Sequence, residues 1–551
     1  MSAADNGRPL PYLDPHYGAF WTSGADGVLR IQSCATCGAL RHPPAPSCYA
    51  CGSLEATWAE VSGTATVVGF TINHHRWHPA FDPPYALAIV ALDEDDGVRL
   101  TTQIVATDLD AIRVGMRVTV QFESVDDVWL PVFTAIPGEP DAATAPDPDI
   151  RHLVRPRLTE RKFEADSAIT GVGASQTGRR LMRDPLSLTV EASLRAIADA
   201  GLTVDDIDGL CSYPGPDGWG HGHSEGGIGE LMESMHLRPS WINGAPETPG
   251  QSGSIVAAMM AVSAGLCRHV LCFRTVWEST LAVTPTPHHA GDRITGNMGS
   301  AFRLPYGAFS AASWIGMYAH NYMHHYGMDR ETLGWIAVTS RANAALNPDA
   351  VYRDPMSMDD YLSARMISTP FGLYDCDVPC DASIAVIVSA IDTARDRPHP
   401  PIRIEAVGTQ LIERLSWDQG TLTHEPQVMG PAAHLWTRTD LRQSDVDVAL
   451  LYDGFTFNCL SWIEALGFCG IGEAPDFLDG GRAIARDGVL PLNPHGGQLS
   501  AGRTHGFGVI AEAIHQLRGD AGARQIAGAE VAVASTGGGA PGGAWLFTKD
   551  R

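Results

Sequence analysis

The sequence predicts an α/β protein of two duplicated halves, preceded by a small cysteine-bearing β domain. Three observations carry this. A glycine-rich loop opens a helix twice, at Gly250-Gln251-Ser252-Gly253-Ser254 and at Arg503-Thr504-His505-Gly506-Phe507-Gly508, and each helix leads into an apolar run at 270–273 and 531–534. A repeated loop–helix–strand unit marks two like halves whose loops meet at one centre. Two Cys-x-x-Cys pairs stand near the start, and short β-branched runs follow them.

Length and composition bound the answer. A chain of 551 residues is too long for one core and implies two or three domains. It is 44% hydrophobic and 18% charged, as soluble globular proteins are. The net charge of -25 argues against nucleic acid as a partner, because phosphate contacts need an excess of Lys and Arg. A few local cations and helix N-termini could still hold an anionic small ligand. The first residues lack a basic segment followed by an apolar core, and no run reaches the roughly 18 apolar residues of a membrane span. A cytoplasmic protein is therefore expected, with its eleven cysteines serving as metal ligands and buried thiols rather than disulfides.

In chain order, residues 1–136 read as one domain: an N-terminal helix, a metal ribbon and a small barrel. Cys34, Cys37, Cys48 and Cys51 lie in two knuckles separated by a Pro-rich loop. Four thiolates at this spacing can surround one tetrahedral Zn²⁺, which would be structural because no coordination position stays open. Strands are expected at 65–72, 85–92, 100–105 and 117–122, with a hairpin turn at 93–97. Residues 137–165, rich in Pro, Ala and Asp up to Asp149, read as a linker.

The rest alternates β and α. A buried strand at 168–173 precedes a helix with Leu186, Val190, Leu194 and Ile197 on one face and Gly201 as its stop. The second half echoes this with a strand at 402–408 and an Asp-hydrophobic-Asp approach to a strand at 444–451. The halves fall at 166–399 and 400–551, and 280–375 is expected to be a largely helical insertion over the active site. The aromatic run Trp314, Tyr318, Tyr322 and Tyr326 has helical spacing and reads as core or pocket wall. His320, His324 and His325 lack a carboxylate at matching spacing and do not read as a metal site.

Tyr452-Asp453-Gly454-Phe455, Asn493-Pro494-His495-Gly496-Gly497 and Ser535-Thr536-Gly537-Gly538-Gly539, with the duplicated halves, resemble the thiolase superfamily. The branch they resemble is that of the lipid-transfer proteins, or sterol-carrier-type thiolases, over residue 166 to the C-terminus. The resemblance implies a thiolase fold of two βαβαβαββ halves and a homodimer. The N-terminal part is similar to an accessory family joining a rubredoxin-like zinc ribbon to an OB fold. As a fused domain it is expected to dock on the core and help build the channel for the substrate.

The departures from the working thiolase pattern matter most. The nucleophilic Cys of the first loop is matched by Gly250. The His of a His-x-x-Phe motif is matched by Tyr452. The Gly-His-Pro loop is matched by Gly502-Arg503-Thr504, and the late Cys by Ser535. Without a thiol to acylate, ping-pong thiolysis is closed. The same losses resemble the steroid side-chain aldolases of actinobacteria, which also share Asn493, His495-Gly496-Gly497 and His505-Gly506. That resemblance implies retro-aldol cleavage of a bulky β-hydroxyacyl-CoA. Those aldolases carry a tyrosine, implicated in proton transfer, where this chain has Arg503. The alternatives are a thiolase-like acyltransferase acting on a phenolic or ketoacyl acceptor, and a non-catalytic acyl-CoA carrier.

Retro-aldol chemistry needs a base for the β-hydroxyl and stabilisation of an enolate on the thioester oxygen. Tyr452 is the expected proton-transfer group, with Arg503 as the cation that would lower its pKa. His505, Asn493, His495 and loop amides are the candidates for the oxyanion site. Asp453 reads as a loop brace. Cys380 and Cys459 do not open a helix after a glycine turn, where a thiolate would be stabilised, and read as buried thiols.

Overall fold

The computed structural model describes residues 7–15, 17–212, 227–244, 250–284, 294, 298–537 and 542–550. Gly538 and Gly539 of the last glycine motif, and part of the 280–375 segment, lie outside the described residues.

The N-terminal helix Gly18–Thr22 leads into a three-stranded antiparallel ribbon of β1 (Arg30–Cys34), β2 (Leu40–Arg41) and β3 (Ala56–Glu60). The two cysteine knuckles hang from its ends. A closed barrel follows, made of β4 (Thr64–Asn73), β5 (Tyr85–Leu92), β6 (Asp95–Ile104), β7 (Arg117–Val125) and β8 (Val128–Ala135). β4 pairs with both β5 and β7, and β6 pairs in parallel with β8, which closes the ring. The hairpin turn is tighter than the expected 93–97, because β6 already begins at Asp95. Residues 137–162 carry no strand, and Asp147 and Arg151 tie this stretch to the body through Leu422 N and Glu464 O.

The body holds β9 (Ser167–Ala174), β10 (Gly209–Ser212), β11 (Trp241–Gly244) and β12 (His269–Trp277). Then come β13 (Met366–Ser368), β14 (Phe371–Gly372), β15 (Asp381–Ala390), β16 (Ile402–Gly408), β17 (Val448–Leu450), β18 (Val531–Thr536) and β19 (Gly543–Lys549). One nine-stranded sheet runs β11-β10-β12-β15-β9-β16-β19-β18-β17. Its two wings repeat one pairing pattern. β10 with β12 and β17 with β18 are parallel, β12 with β15 and β18 with β19 are antiparallel, and so are β15 with β9 and β19 with β16. The wings join where β9 pairs with β16. The duplication read from the loops is thus a duplication of sheet topology.

The helix after β9 spans Pro185–Asp199, capped by Asp184. Its buried face is only partly the expected one. Leu194 is 46% exposed, whereas Ala192, Ala196 and Ile197 are buried. The reason is close packing: a Cβ on Gly173 would lie 2.3 Å from Ala196 N and 2.4 Å from Ala192 O. The helix backbone rests almost on the strand, and only small residues fit between them.

The insertion is helical at Ala311–Tyr326, Arg330–Ala344 and Met358–Leu362, with Tyr318 and Tyr322 buried as core. It also supplies β13 and β14, which extend the barrel sheet from β4. Thr71 Oγ1 and Ile72 N both bond to Thr369. Helix Ala311–Tyr326 lies across β4, where a Cβ on Gly69 would stand 2.7 Å from Met317 O. The barrel and the insertion therefore share one hydrophobic core. No described helix is long and apolar enough to cross a membrane.

Candidate active site

The two glycine-rich loops meet at the end of β18. Gly250 has φ +59°, and a Cβ there would lie 2.4 Å from Thr536 Oγ1 and 2.6 Å from Thr536 O. No side chain, least of all a nucleophilic thiol, fits that position without displacing backbone. Ser252 Oγ bonds Thr536 Oγ1 at 3.0 Å, and a Cβ on Gly506 of the second loop would come within 2.9 Å of Thr536 Cγ2. From these loops run the helices Gly253–Ser263 and Phe507–Arg518, so two helix N-termini point to one centre.

Tyr452 follows β17 and is buried. Its N–H donates to Ser535 Oγ at 2.9 Å, so the serine in place of the late cysteine holds the tyrosine loop. Gln251 Nε2, from the first glycine loop, lies 3.5 Å from the phenol oxygen. The tyrosine ring thus sits where the two halves face each other.

Arg503 is not a spare cation beside Tyr452. Its Nε donates to Glu278 Oε2 at 2.8 Å, its Nη2 donates to the same oxygen, and its Nη1 donates to Asp377 Oδ1 at 3.0 Å. Burial works against its charge, but Asp377 and Glu278 outweigh that and raise its pKa above the ordinary value. Its guanidinium is thus taken up by two carboxylates before any phenolate could use it.

His505 accepts at Nδ1 from Arg274 Nη2 at 2.7 Å. A guanidinium can only donate, so Nε2 carries the imidazole proton. Nε2 faces Glu278 Oε1 at 3.8 Å. The backbone N–H of His505, held at φ +47°, donates to Gln498 Oε1 at 3.1 Å.

Asn493 is tied to the neighbouring backbone. Its Oδ1 accepts from Leu451 N and its Nδ2 donates to Leu451 O, both at 2.9 Å, which fixes the approach to Tyr452. His495 is buried, its Nδ1 has no partner among the described residues, and its carbonyl takes Asn347 Nδ2 at 2.9 Å. Burial and the Arg524 charge push it down to about 3, so its ring is neutral. Asp453 accepts from Gln498 N at 2.8 Å and braces that loop. Burial raises it to about 7 against the pull of the Gln498 and Leu499 amides.

Of the residues expected from the sequence, Tyr452, Arg503 and His505 come together at one centre, the Asn493 amide is engaged with the Leu451 backbone, and His495 is a buried neutral ring. Sequence reasoning missed Glu278, Asp377, Arg274 and Gln251. A signal existed: Arg274 is a charge directly after the apolar run 270–273, and Asp375, Asp377 and Asp381 crowd one short segment.

Cys380 and Cys459 are buried with pKa values raised by burial, as is that of Cys376, so no thiolate is available. The Cys380 thiol donates to Arg503 O at 3.5 Å. Cys34, Cys37, Cys48 and Cys51 gather their sulfurs within 4.8 Å of one another. Backbone amides of Cys37 and Thr36 aim at Cys34, and those of Cys51 and Ala50 at Cys48, lowering both thiols. This donor set suits a tetrahedral structural metal.

A cavity of about 680 Å³ opens between the barrel and the body. His75 and Trp77 of the barrel wall it on one side, and Arg341, Tyr352, Arg365 and Ile367 of the insertion on the other. Asp377 and Leu499 also line it.

Comparison with known proteins agrees with this architecture. Residues 21–55 match the family described as ChsH2, rubredoxin-like zinc ribbon domain; 58–123 match ChsH2, C-terminal OB-fold domain; and 420–544 match thiolase C-terminal domain-like. A steroid side-chain-cleaving aldolase of Thermomonospora curvata is 37% identical over 363 residues, which cover 64% of this chain and 90% of that protein. The 17-hydroxy-3-oxo-4-pregnene-20-carboxyl-CoA lyase of Mycobacterium tuberculosis is 34% identical over 69% of this chain and 98% of its own length. A solved Ltp2-ChsH2(DUF35) aldolase superposes with a TM-score of 0.62 at 31% identity, covering 70% of this chain and 98% of that one.

Proposed function

The chain belongs to the thiolase-fold family of steroid side-chain-cleaving aldolases, and from that premise we propose that it cleaves a bulky β-hydroxyacyl-CoA by a retro-aldol reaction. It is a carbon–carbon lyase that works without a cysteine nucleophile. The observation that supports this best is Gly250: the loop that would carry an acylated thiol is closed by Thr536. The products are a ketone or aldehyde and a shortened acyl-CoA.

Cleavage removes the β-hydroxyl proton, turns the C–O bond into a carbonyl, and passes the Cα–Cβ electron pair into the thioester as an enolate. A proton then returns to the α-carbon. Tyr452 is the proton-transfer group at the centre, and Gln251 orients its hydroxyl. The two helix N-termini supply partial positive charge toward the enolate oxygen, and His505, held on Arg274, borders the same centre. The test is mass spectrometry of purified protein with a β-hydroxyacyl-CoA bearing a tertiary hydroxyl. A ketone plus a shorter acyl-CoA, with no adduct on the protein, is expected. Intact substrate, or an acyl group on a cysteine, overturns the reading.

The 680 Å³ cavity is the entrance for the thioester, with the fused barrel as one wall. Trp77, its indole N–H fixed on Asn73 Oδ1 at 2.9 Å, offers a flat face, and the exposed Arg365 stands across the opening. Arg365→Ala is expected to raise KM severalfold with kcat unchanged, read from initial rates. Zn²⁺ is the ion assigned to the four cysteines, held as a structural centre. The family resemblance adds a homodimer, checked by light scattering.

A further inference from the structure

Resting on the aldolase reading, we propose that Asp377 is a catalytic residue, the carboxylate that takes the proton from the β-hydroxyl as the Cα–Cβ bond breaks. The geometry separates it from every other acid at the site. Glu278 is turned inward, with Oε2 taken by two donors of Arg503 and Oε1 facing His505. Asp453 has Oδ1 on the Gln498 amide, and its Oδ2 is so close to Gly497 that a Cβ there would be 1.8 Å away. No substrate atom fits between them. Asp377 alone of the three lines the entrance cavity, and it holds Arg503 through Oδ1 only.

The chain around Asp377 explains its aim. Its N–H donates to Gly454 O at 3.0 Å, and Val378 N donates to Gln498 O at 3.0 Å. The segment is thereby stitched to the Tyr452 loop on one side and to the 497–501 turn on the other. Asp377 therefore stands at the junction of cavity and reaction centre. In the balanced step its carboxylate gains the hydroxyl proton, the hydroxyl oxygen becomes the carbonyl, and the broken bond's pair becomes the enolate. Tyr452 then protonates the α-carbon and recovers its proton from Asp377 through solvent.

A base must be ionised while the reaction runs. Arg503 bonds Asp377, while Glu278 and Asp453 are the acids that act on it. Tyr452 acts on Arg503, and Cys376 and Cys380 lie in its own segment. Arg341 and Arg365 line the same cavity. Burial pushes Asp377 up to about 7, opposed by Arg503 and reinforced by Glu278 and Asp453. A base raised in this way loses activity as pH falls through that value.

The experiment is a pH profile of wild type beside Asp377→Asn and Asp377→Glu. Wild-type kcat/KM is expected to fall tenfold per unit below about pH 7. Asp377→Asn, whose amide oxygen can still accept from Arg503, is expected to lose kcat by about 10²–10⁴ with KM within threefold. The remaining activity should lack the acid limb, and Asp377→Glu should restore part of the rate. Binding of an unreactive saturated acyl-CoA, by calorimetry, shows that the Asn variant is folded. Turnover by that variant within threefold of wild type, or a wild-type profile flat down to pH 5.5, overturns the assignment. Failure of wild type itself to cleave any hydroxyacyl-CoA overturns the aldolase reading and this one with it.

Discussion

Tyr452→Phe is expected to reduce cleavage by about 10²–10⁴ while leaving binding of the thioester unchanged. The ring is buried between the two halves, and its backbone N–H rests on Ser535. Phenylalanine keeps that packing and removes only the hydroxyl that Gln251 faces. The loss should therefore fall on kcat, not KM, which is the signature of an interaction made in the transition state. Binding of a saturated acyl-CoA by calorimetry and single-turnover cleavage by rapid quench separate the two effects. Full single-turnover activity in the variant would show that Tyr452 is only a wall of the site.

The second large effect is expected from the cysteine cluster. Metal binding by four thiolates contributes on the order of 10 kcal/mol to a ribbon of this size. Cys37 and Cys51 are exposed, so Cys37→Ser with Cys51→Ser removes two ligands without disturbing the apolar interior. Zinc content, measured by mass spectrometry of the metal, should fall from one per chain to none. The damage should spread beyond the ribbon. Trp21 stacks on Phe302 at 4.9 Å, and His42 meets Phe302 edge-on at the same distance, so the insertion leans on the metal domain. Arg414 reaches back to His42 O at 3.1 Å. A lower thermal midpoint and new protease cleavage between β1 and β3 are expected. A zinc-free variant that melts like wild type would mean that the cluster holds nothing the fold needs.

The legible parts of the sequence were those fixed by short-range rules. The knuckles announce themselves by spacing, and β4 and β5 by β-branched runs between turn residues. The duplicated loops needed only a comparison of the chain with itself. Other features depend on contacts far along the chain. Leu194 looked like a core residue because it is apolar at helical spacing, yet Gly171 and Gly173 demand alanine on the facing side. β13 and β14 have three and two residues, too few for any periodicity. Glu278 and Asp377 acquire meaning only through Arg503, which is 225 and 126 residues away. Asn493 stood in the right motif, but its short amide is spent on the Leu451 backbone, and pattern alone does not reveal which way an amide points.

The barrel sheet has a consequence for how the chain is made. Thr71 on β4 and Ser368 on β13 share a hydrogen bond although they are 297 residues apart. During synthesis, the strands of the ring leave the ribosome long before their last neighbours exist. The end of β4 beyond its pairing with β7 must wait, exposed, until the insertion has been translated, and an open edge invites wrong partners. Severing the chain between barrel and body would turn this intramolecular pairing into a subunit interface, dependent on concentration. Kept as one polypeptide, the two parts meet at a high effective concentration set by the chain itself. Fusion here secures the assembly of the sheet as well as the stoichiometry of its parts.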